Sequence, residues 1–380
     1  MKIEQSQWSA EKGWQPAPAA SSLGADAQLV VLFGGLESLK QSGGLERARK
    51  AYPGARLFGC TTAGEIQPGS VSDETIALTA IHFEQTRLTA AHTLIEGREQ
   101  SFEAGERLAG QFPPQGLRHV FVLSEGLKVN AGGLVKGMAA RLPAGVTISG
   151  GCAADGPRMQ HTHVWCDSDP EESAAVALGF YGDHLRVGIS AIGGWKPFSP
   201  ERQITRARQN VLYEIDGQPA LALYKKYLGA YAAGLPAIGK MFPFELGVDG
   251  GDQRVLRAVL GTNEEDQSIT FAGQVPEGLQ ARFMMGHVED LIEGTQLAAA
   301  ESLKNLLSFK PQLSILISCC CRRYVLKQRI EEEVLAVREA LGSQAAVTGF
   351  YACGEIAPSR PSGNCEHHNQ TMTITSFSEV

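Results

Sequence analysis

A ten-residue turn is written twice in this chain. Gly59-Cys60-Thr61-Thr62-Ala63-Gly64-Glu65-Ile66-Gln67-Pro68 returns near the far end as Gly349-Phe350-Tyr351-Ala352-Cys353-Gly354-Glu355-Ile356-Ala357-Pro358. The copies share the opening Gly, the Gly-Glu-Ile centre and the closing Pro without a gap. An alternating run follows each: Asp73-Glu74-Thr75-Ile76-Ala77-Leu78-Thr79 after the first, Asn369-Gln370-Thr371-Met372-Thr373-Ile374-Thr375 after the second. Alternation marks a strand with one buried face. Two copies of one strand–turn–strand unit predict two similar halves, and a cleft between packed halves is a natural ligand site. Gly150-Gly151-Cys152-Ala153-Ala154-Asp155-Gly156 is a looser third echo of the turn.

The rest of the chain supplies strands and helices in alternation. The short apolar runs Leu29–Phe33, His119–Leu123 and Leu313–Ile317 read as strands buried on both faces. Helices are expected near Leu45–Tyr52, Leu134–Leu142 and Leu291–Leu307, and after Asp216-Gly217. Ile330, Val334, Val337 and Leu341 fall at helical steps and define one apolar stripe. The fold class is α/β: two pseudo-repeated layered halves with mixed sheets and packed helices. Residues 1–26, with Trp8 and Trp14, read as a weakly structured N-terminal extension docked on the body. Residues 27–228 and 229–380 then form two domains, with the Gly- and Pro-containing stretch Gly229–Pro243 as the seam.

Bulk chemistry narrows the function. A formal charge of −7 with no clustered Lys and Arg argues against sequence-independent nucleic-acid binding. No apolar run is long enough to span a bilayer, and Met1–Ser6 does not lead into a secretory signal. Eight Cys without small-domain spacing read as reduced thiols, so the expected location is cytoplasmic.

Gly349–Pro358 followed by His368-Asn369-Gln370-Thr371-Met372-Thr373 resembles the closing signature of the FIST family, domains associated with intracellular signal transduction. Cys321-Arg322-Arg323-Tyr324-Val325-Leu326 with Glu331-Glu332-Glu333 resembles another family segment. Phe58–Ile66 and Gly150–Gly156 resemble the FIST N-domain, and the likeness covers roughly residues 27–378. The resemblance implies a FIST N-like and a FIST C-like domain in a cytoplasmic sensory module that binds small ligands such as amino acids. It further implies kinship with nitric-oxide-sensing haem proteins that regulate a histidine kinase or a cyclic-di-GMP enzyme.

The residues themselves offer several sites. Glu65 and Glu355 each follow a Gly at the end of an expected strand, where open α/β sheets bind ligands. They can accept hydrogen bonds from a ligand ammonium group, act as an acid/base pair, or simply hold their own turns. Asp73-Glu74 in one copy becomes Asn369-Gln370 in the other, exchanging pure acceptors for groups that also donate. Asn369 and Thr371 are therefore candidate ligand contacts. Arg322 and Arg323 can clamp a carboxylate or a haem propionate, or pair with Glu331, Glu332 or Glu333. Extended backbone would put Cys319 and Cys321 on one face and Cys320 on the other. No C-x-x-C spacing exists, so buried small hydrophobes are the reading preferred over metal ligands. For a non-covalent haem b, His368 is the first candidate axial ligand, followed by His161 and His163.

No G-x-S-x-G elbow, P-loop or properly placed G-x-G-x-x-G is present. The expected function is thus a non-enzymatic sensory ligand-binding protein, haem-based or not, that signals to a kinase or cyclic-di-GMP partner. A hydrolase or transferase using Glu65 and Glu355 is the alternative.

Overall fold

Three glycines build the frame. Gly59, Gly150 and Gly349 stand opposite Leu32, Val122 and Leu316 in three parallel strand pairs. A Cβ at these positions would fall 1.9, 1.8 and 1.9 Å from the carbonyl oxygen of the partner residue. Only glycine lets the two strands come this close. The repeat therefore occurs three times, not twice, and the Gly150 echo is a full member.

The computed structural model describes residues 1–248, 253–307, 309–359 and 364–380. It is an α/β fold of four sheets. Each of three six-stranded sheets is built around one parallel pair: Leu29–Gly34 with Arg56–Cys60, Leu117–Ser124 with Thr147–Cys152, and Leu313–Cys319 with Ala346–Ala352. An antiparallel closing strand flanks each pair: Ile76–His82, Ala174–Tyr181 and Met372–Glu379. A further antiparallel strand lies beyond it: Lys2–Ser9, Arg87–Leu94 and Leu185–Ile192. The three units thus occupy residues 2–82, 87–181 and 185–379.

The strand after each turn leaves its own sheet. Glu65–Gln67 of the first unit pairs with Ala346–Ala352 of the third. Gly354–Pro358 of the third pairs with Thr147–Cys152 of the second. Val164–Cys166 of the second pairs with Arg56–Cys60 of the first. The exchange closes a ring, and the inner faces of all three sheets share one core containing Phe33, Phe58, Phe121, Leu123, Phe180, Ile317, Phe350 and Phe377.

Helices cover the outer faces. Ile330–Leu341 follows from its sequence: Val334, Val337 and Leu341 are buried with Leu316, Val347 and Ile374. Three Glu in its first turn suit the helix dipole, and Gly342 at φ 84° ends it. Burying each of these aliphatic side chains contributes about 1.5–3 kcal/mol, so a charge at Val337 would detach the helix.

Two sequence expectations change. Lys2–Ser9 is a strand in register with Ile76–His82, and Trp8 faces Trp14 across a short hairpin whose second strand, Gly13–Gln15, forms the edge, so residues 1–26 are not a loose extension. The third unit carries an insertion between Leu185–Ile192 and Leu313–Cys319. It holds a nine-stranded sheet that runs from Lys196–Pro197 to Gln280–Met285. The seam expected at Gly229–Pro243 falls inside this module. Leu212, Leu221 and Tyr224 on one side of it share a core with Phe244, Phe271 and Phe283 on the other. Among the described residues no helix is long and apolar enough to cross a membrane.

Candidate functional site

All six parallel strands end at one cavity of about 510 Å³. The first unit contributes Thr62–Glu65, Asp73 and Glu74; the second Gly126, Leu127, Asn130, Cys152 and Arg158; the third Cys319–Cys321, Arg323, Cys353, His367 and Asn369. The inserted module closes over it with Asn210, Lys240, Ala258, Leu260 and Phe271. The hollow expected between repeats exists, but three units and the module share it.

Both repeated glutamates are buried and tied to their own turns. Thr75 donates to Glu65 Oε2 through its backbone N at 3.0 Å and its hydroxyl at 2.6 Å, and the Thr62 hydroxyl donates to Oε1. Thr371 repeats the motif, donating to Glu355 Oε2 from N at 3.0 Å and Oγ1 at 2.9 Å. Burial is the largest influence on both and raises them, Glu65 to about 7 and Glu355 to about 8, against these hydrogen bonds. Glu65 reaches the cavity wall, whereas Glu355 sits behind it, so the structure does not bring the two into one wall as a pair. Thr371 is likewise occupied with Glu355.

The adjacent arginines part company. Arg322 is fully buried and donates to Glu333 from Nε at 3.1 Å and from Nη2 at 2.9 Å. Its other bonds reach Gly193 O, Leu291 O and Thr295 Oγ1, while Ser318 and Tyr351 donate to the same Glu333. These bonds are all internal, so of the two roles expected of Arg322 the pairing with Glu333 is the one seen, and it does not reach out to clamp a ligand. Arg323 does line the cavity. It forks onto Asp73 at 2.7 and 2.8 Å, donates to Ala63 O, and lies 5.2 Å from the Tyr351 ring centroid.

Asn369 is the unusual wall residue. It is fully buried, faces the cavity, and neither Oδ1 nor Nδ2 has a hydrogen-bond partner. His367 Nε2 and Glu355 Oε1 also lack one. An unpaired buried polar atom costs about 1–3 kcal/mol, and such atoms beside a hollow are handles awaiting a ligand.

The expected haem ligands lie elsewhere. His368 is buried with Nε2 at 3.1 Å from Ala357 O. His161 Nδ1 is 2.7 Å from Glu172, and His163 Nε2 is 3.6 Å from the same carboxylate. Burial holds His367 and His368 neutral, at about 3 and about 4.

The cysteine run also departs from expectation. The strand ends at Cys319, and Cys321 already has helical backbone, so the three side chains turn together. Their sulfurs lie within 4.8 Å of one another, and the Cys353 thiol joins them through Cys320. All eight cysteines are free. Sequence reasoning missed Lys240, Phe271 and the rest of the module's share of the wall. Nothing local in residues 196–285 says that they fold back over strand ends from other parts of the chain.

The FIST N domain family matches residues 28–218, and the FIST C domain family matches residues 220–358. No curated protein matches the chain in sequence. Two solved structures align along nearly all of it at low similarity. A chorismatase is 10% identical, with 99% of this chain and 98% of that one covered and a TM-score of 0.34. A cyanuric acid hydrolase from A. caulinodans is 9% identical, with 100% and 98% covered and a TM-score of 0.36. Neither carries an argument about the chemistry of this cavity.

Proposed function

The chain belongs to the FIST family, whose domains are sensory ligand-binding domains in signalling proteins, and on that premise we propose that it senses a small polar organic ligand in the central cavity. The observation that carries this reading is Asn369, buried with both amide atoms free in the cavity wall. A ligand with an adjacent donor and acceptor, such as an amino acid or a carboxamide, satisfies both atoms at once. Lys240 supplies positive charge nearby, and the Arg323–Asp73 pair lines the same wall.

The module is the natural reporter of occupancy. Gln370 Nε2 donates to Lys240 O at 2.8 Å, the Trp195 indole donates to Gln370 O at 2.8 Å, and Arg257 donates to His367 O at 3.0 Å. A ligand that prefers one seating of the module over another shifts the surface shown to a partner. A histidine kinase or a cyclic-di-GMP enzyme is the partner class we carry forward.

We take this reading without haem. His368, His161 and His163 are engaged as described. His367 Nε2, though free, abuts Gly354, where a Cβ would fall 2.1 Å from it. These side chains do not fit a histidine-ligated haem. The test is a thermal-shift screen of amino acids, amides and carboxylates, with haem as a separate arm. An occupied site at 100 times Kd adds about 2.7 kcal/mol, and Asn369→Leu should abolish that shift. A hit unaffected by Asn369→Leu, or a Soret band moving with nitric oxide, would overturn the reading.

A further inference from the structure

Cys319, Cys320 and Cys321 close one side of the cavity floor, and Cys353 of the repeated turn faces them. We propose that Cys320, together with Cys319, Cys321 and Cys353, binds a single thiophilic d10 cation, Zn2+ or Cu+, reached through the central cavity. This goes beyond the sensory reading and does not require it.

Geometry carries the assignment. A tetrahedral thiolate site with metal–sulfur bonds of about 2.3 Å holds its sulfurs roughly 3.8 Å apart. The three consecutive sulfurs already lie within 4.8 Å of one another, so closing on an ion needs only small side-chain rotations. Their backbones are pinned. Cys319 N donates to Thr371 O at 3.0 Å, and Cys320 N donates to Ala352 O at 2.9 Å. Pre-placed ligands lower the ordering cost of binding. Soft thiolates select soft cations, which excludes Mg2+ and Ca2+.

Access agrees with the geometry. Cys320 is partly open to the cavity. Each thiol that binds the ion releases one proton to solvent. Buried, inert thiols would have no such access. Cys60 and Cys365 show that alternative: both are buried outside the cavity wall, and burial raises both.

The test uses the full chain, reduced and free of metal. Titration with Co2+ should give a thiolate-to-cobalt charge-transfer band that saturates at one equivalent and is displaced by Zn2+. Cys320→Ser and Cys353→Ser should each weaken binding by about a hundredfold or more, since even outer-shell changes cost about ten- to a hundredfold. Cys166→Ser, outside the cluster, should leave it unchanged. Should the variants fail to fold, wild-type protein decides: one equivalent of Zn2+ or Cu+ should protect Cys320 and Cys353 from alkylation, as read by peptide mass. Protection by Cu+ alone assigns the copper form. No band and no protection by either ion, or protection that maps to Cys60, Cys152, Cys166 or Cys365, would overturn the proposal.

Discussion

The first and third units place Asp73 and Asn369 at the same position, four residues plus one before the residue opposite the frame glycine's partner. The backbone is equivalent at both: Glu74 and Gln370, next in sequence, have φ of 54° and 66°, and Ser173 of the second unit has 51°. The side chains are not equivalent. Asp73 is neutralised by the Arg323 fork. Glu172, its counterpart in the second unit, meets Lys128 and His161. Asn369 meets nothing among the described residues. Repetition supplies three copies of a corner, and the one left unfinished is where binding can occur.

The largest expected effect lies behind that corner. Arg322→Ala should lower stability by about 3–5 kcal/mol in urea unfolding, because it leaves Glu333 buried and charged without its cation. An effect below about 1 kcal/mol would mean that the ring of units does not depend on this pair.

The next concerns the two glutamates. Both are raised above their ordinary value, so the native state keeps protons that the unfolded chain releases. Their contribution is complete at low pH and is lost as pH rises through about 7 and about 8. The buried histidines His119, His367 and His368 act below about 6.5 and in the opposite direction. Between pH 6.5 and 8 the glutamates outweigh the tail of the histidine titration, and stability should fall by roughly 1 kcal/mol. The double variant Glu65→Gln/Glu355→Gln should flatten that slope, and a slope unchanged in the variant would place the titrating groups elsewhere.

Asn369→Leu sharpens the comparison directly. Removing two unpaired polar atoms from a buried site should raise stability by about 1–2 kcal/mol, while Asp73→Leu strands Arg323 and should lower it. If both variants destabilise, Asn369 has a partner in solution and the contrast fails. Smallest of all, Asp73→Asn alone should cost about 0.2–1 kcal/mol, because the pair is partly solvated. Salt should narrow the difference from wild type.

Much of the scaffold was legible in the sequence. The apolar runs at Leu29, His119 and Leu313 are the three inner parallel strands, and the spacing of Ile330 to Leu341 is a helix with those bounds. These signals are local periodicity. The exchanged strands were not legible, because Glu65–Gln67 is only three residues long and nothing in it states which sheet receives it. Asp155-Gly156 hid the third repeat by lacking the Glu-Ile that marks the other two. The candidate site was half legible. Glu65, Arg323 and Asn369 reach the wall as expected, while Arg322, Thr371 and His368 serve neighbours that only tertiary packing reveals.

The passing of one strand from each unit to the next has a further result for anyone who would divide this protein. The two family matches meet at residues 218–220, within a single hydrophobic core of the inserted module. A fragment ending there would keep the hairpin at Glu65–Ser72 but lose the sheet that receives it, and would leave the Thr147–Cys152 edge bare. Bare edges are templates for unwanted pairing. The molecule is braided, and neither of the two pieces its sequence advertises is a whole one.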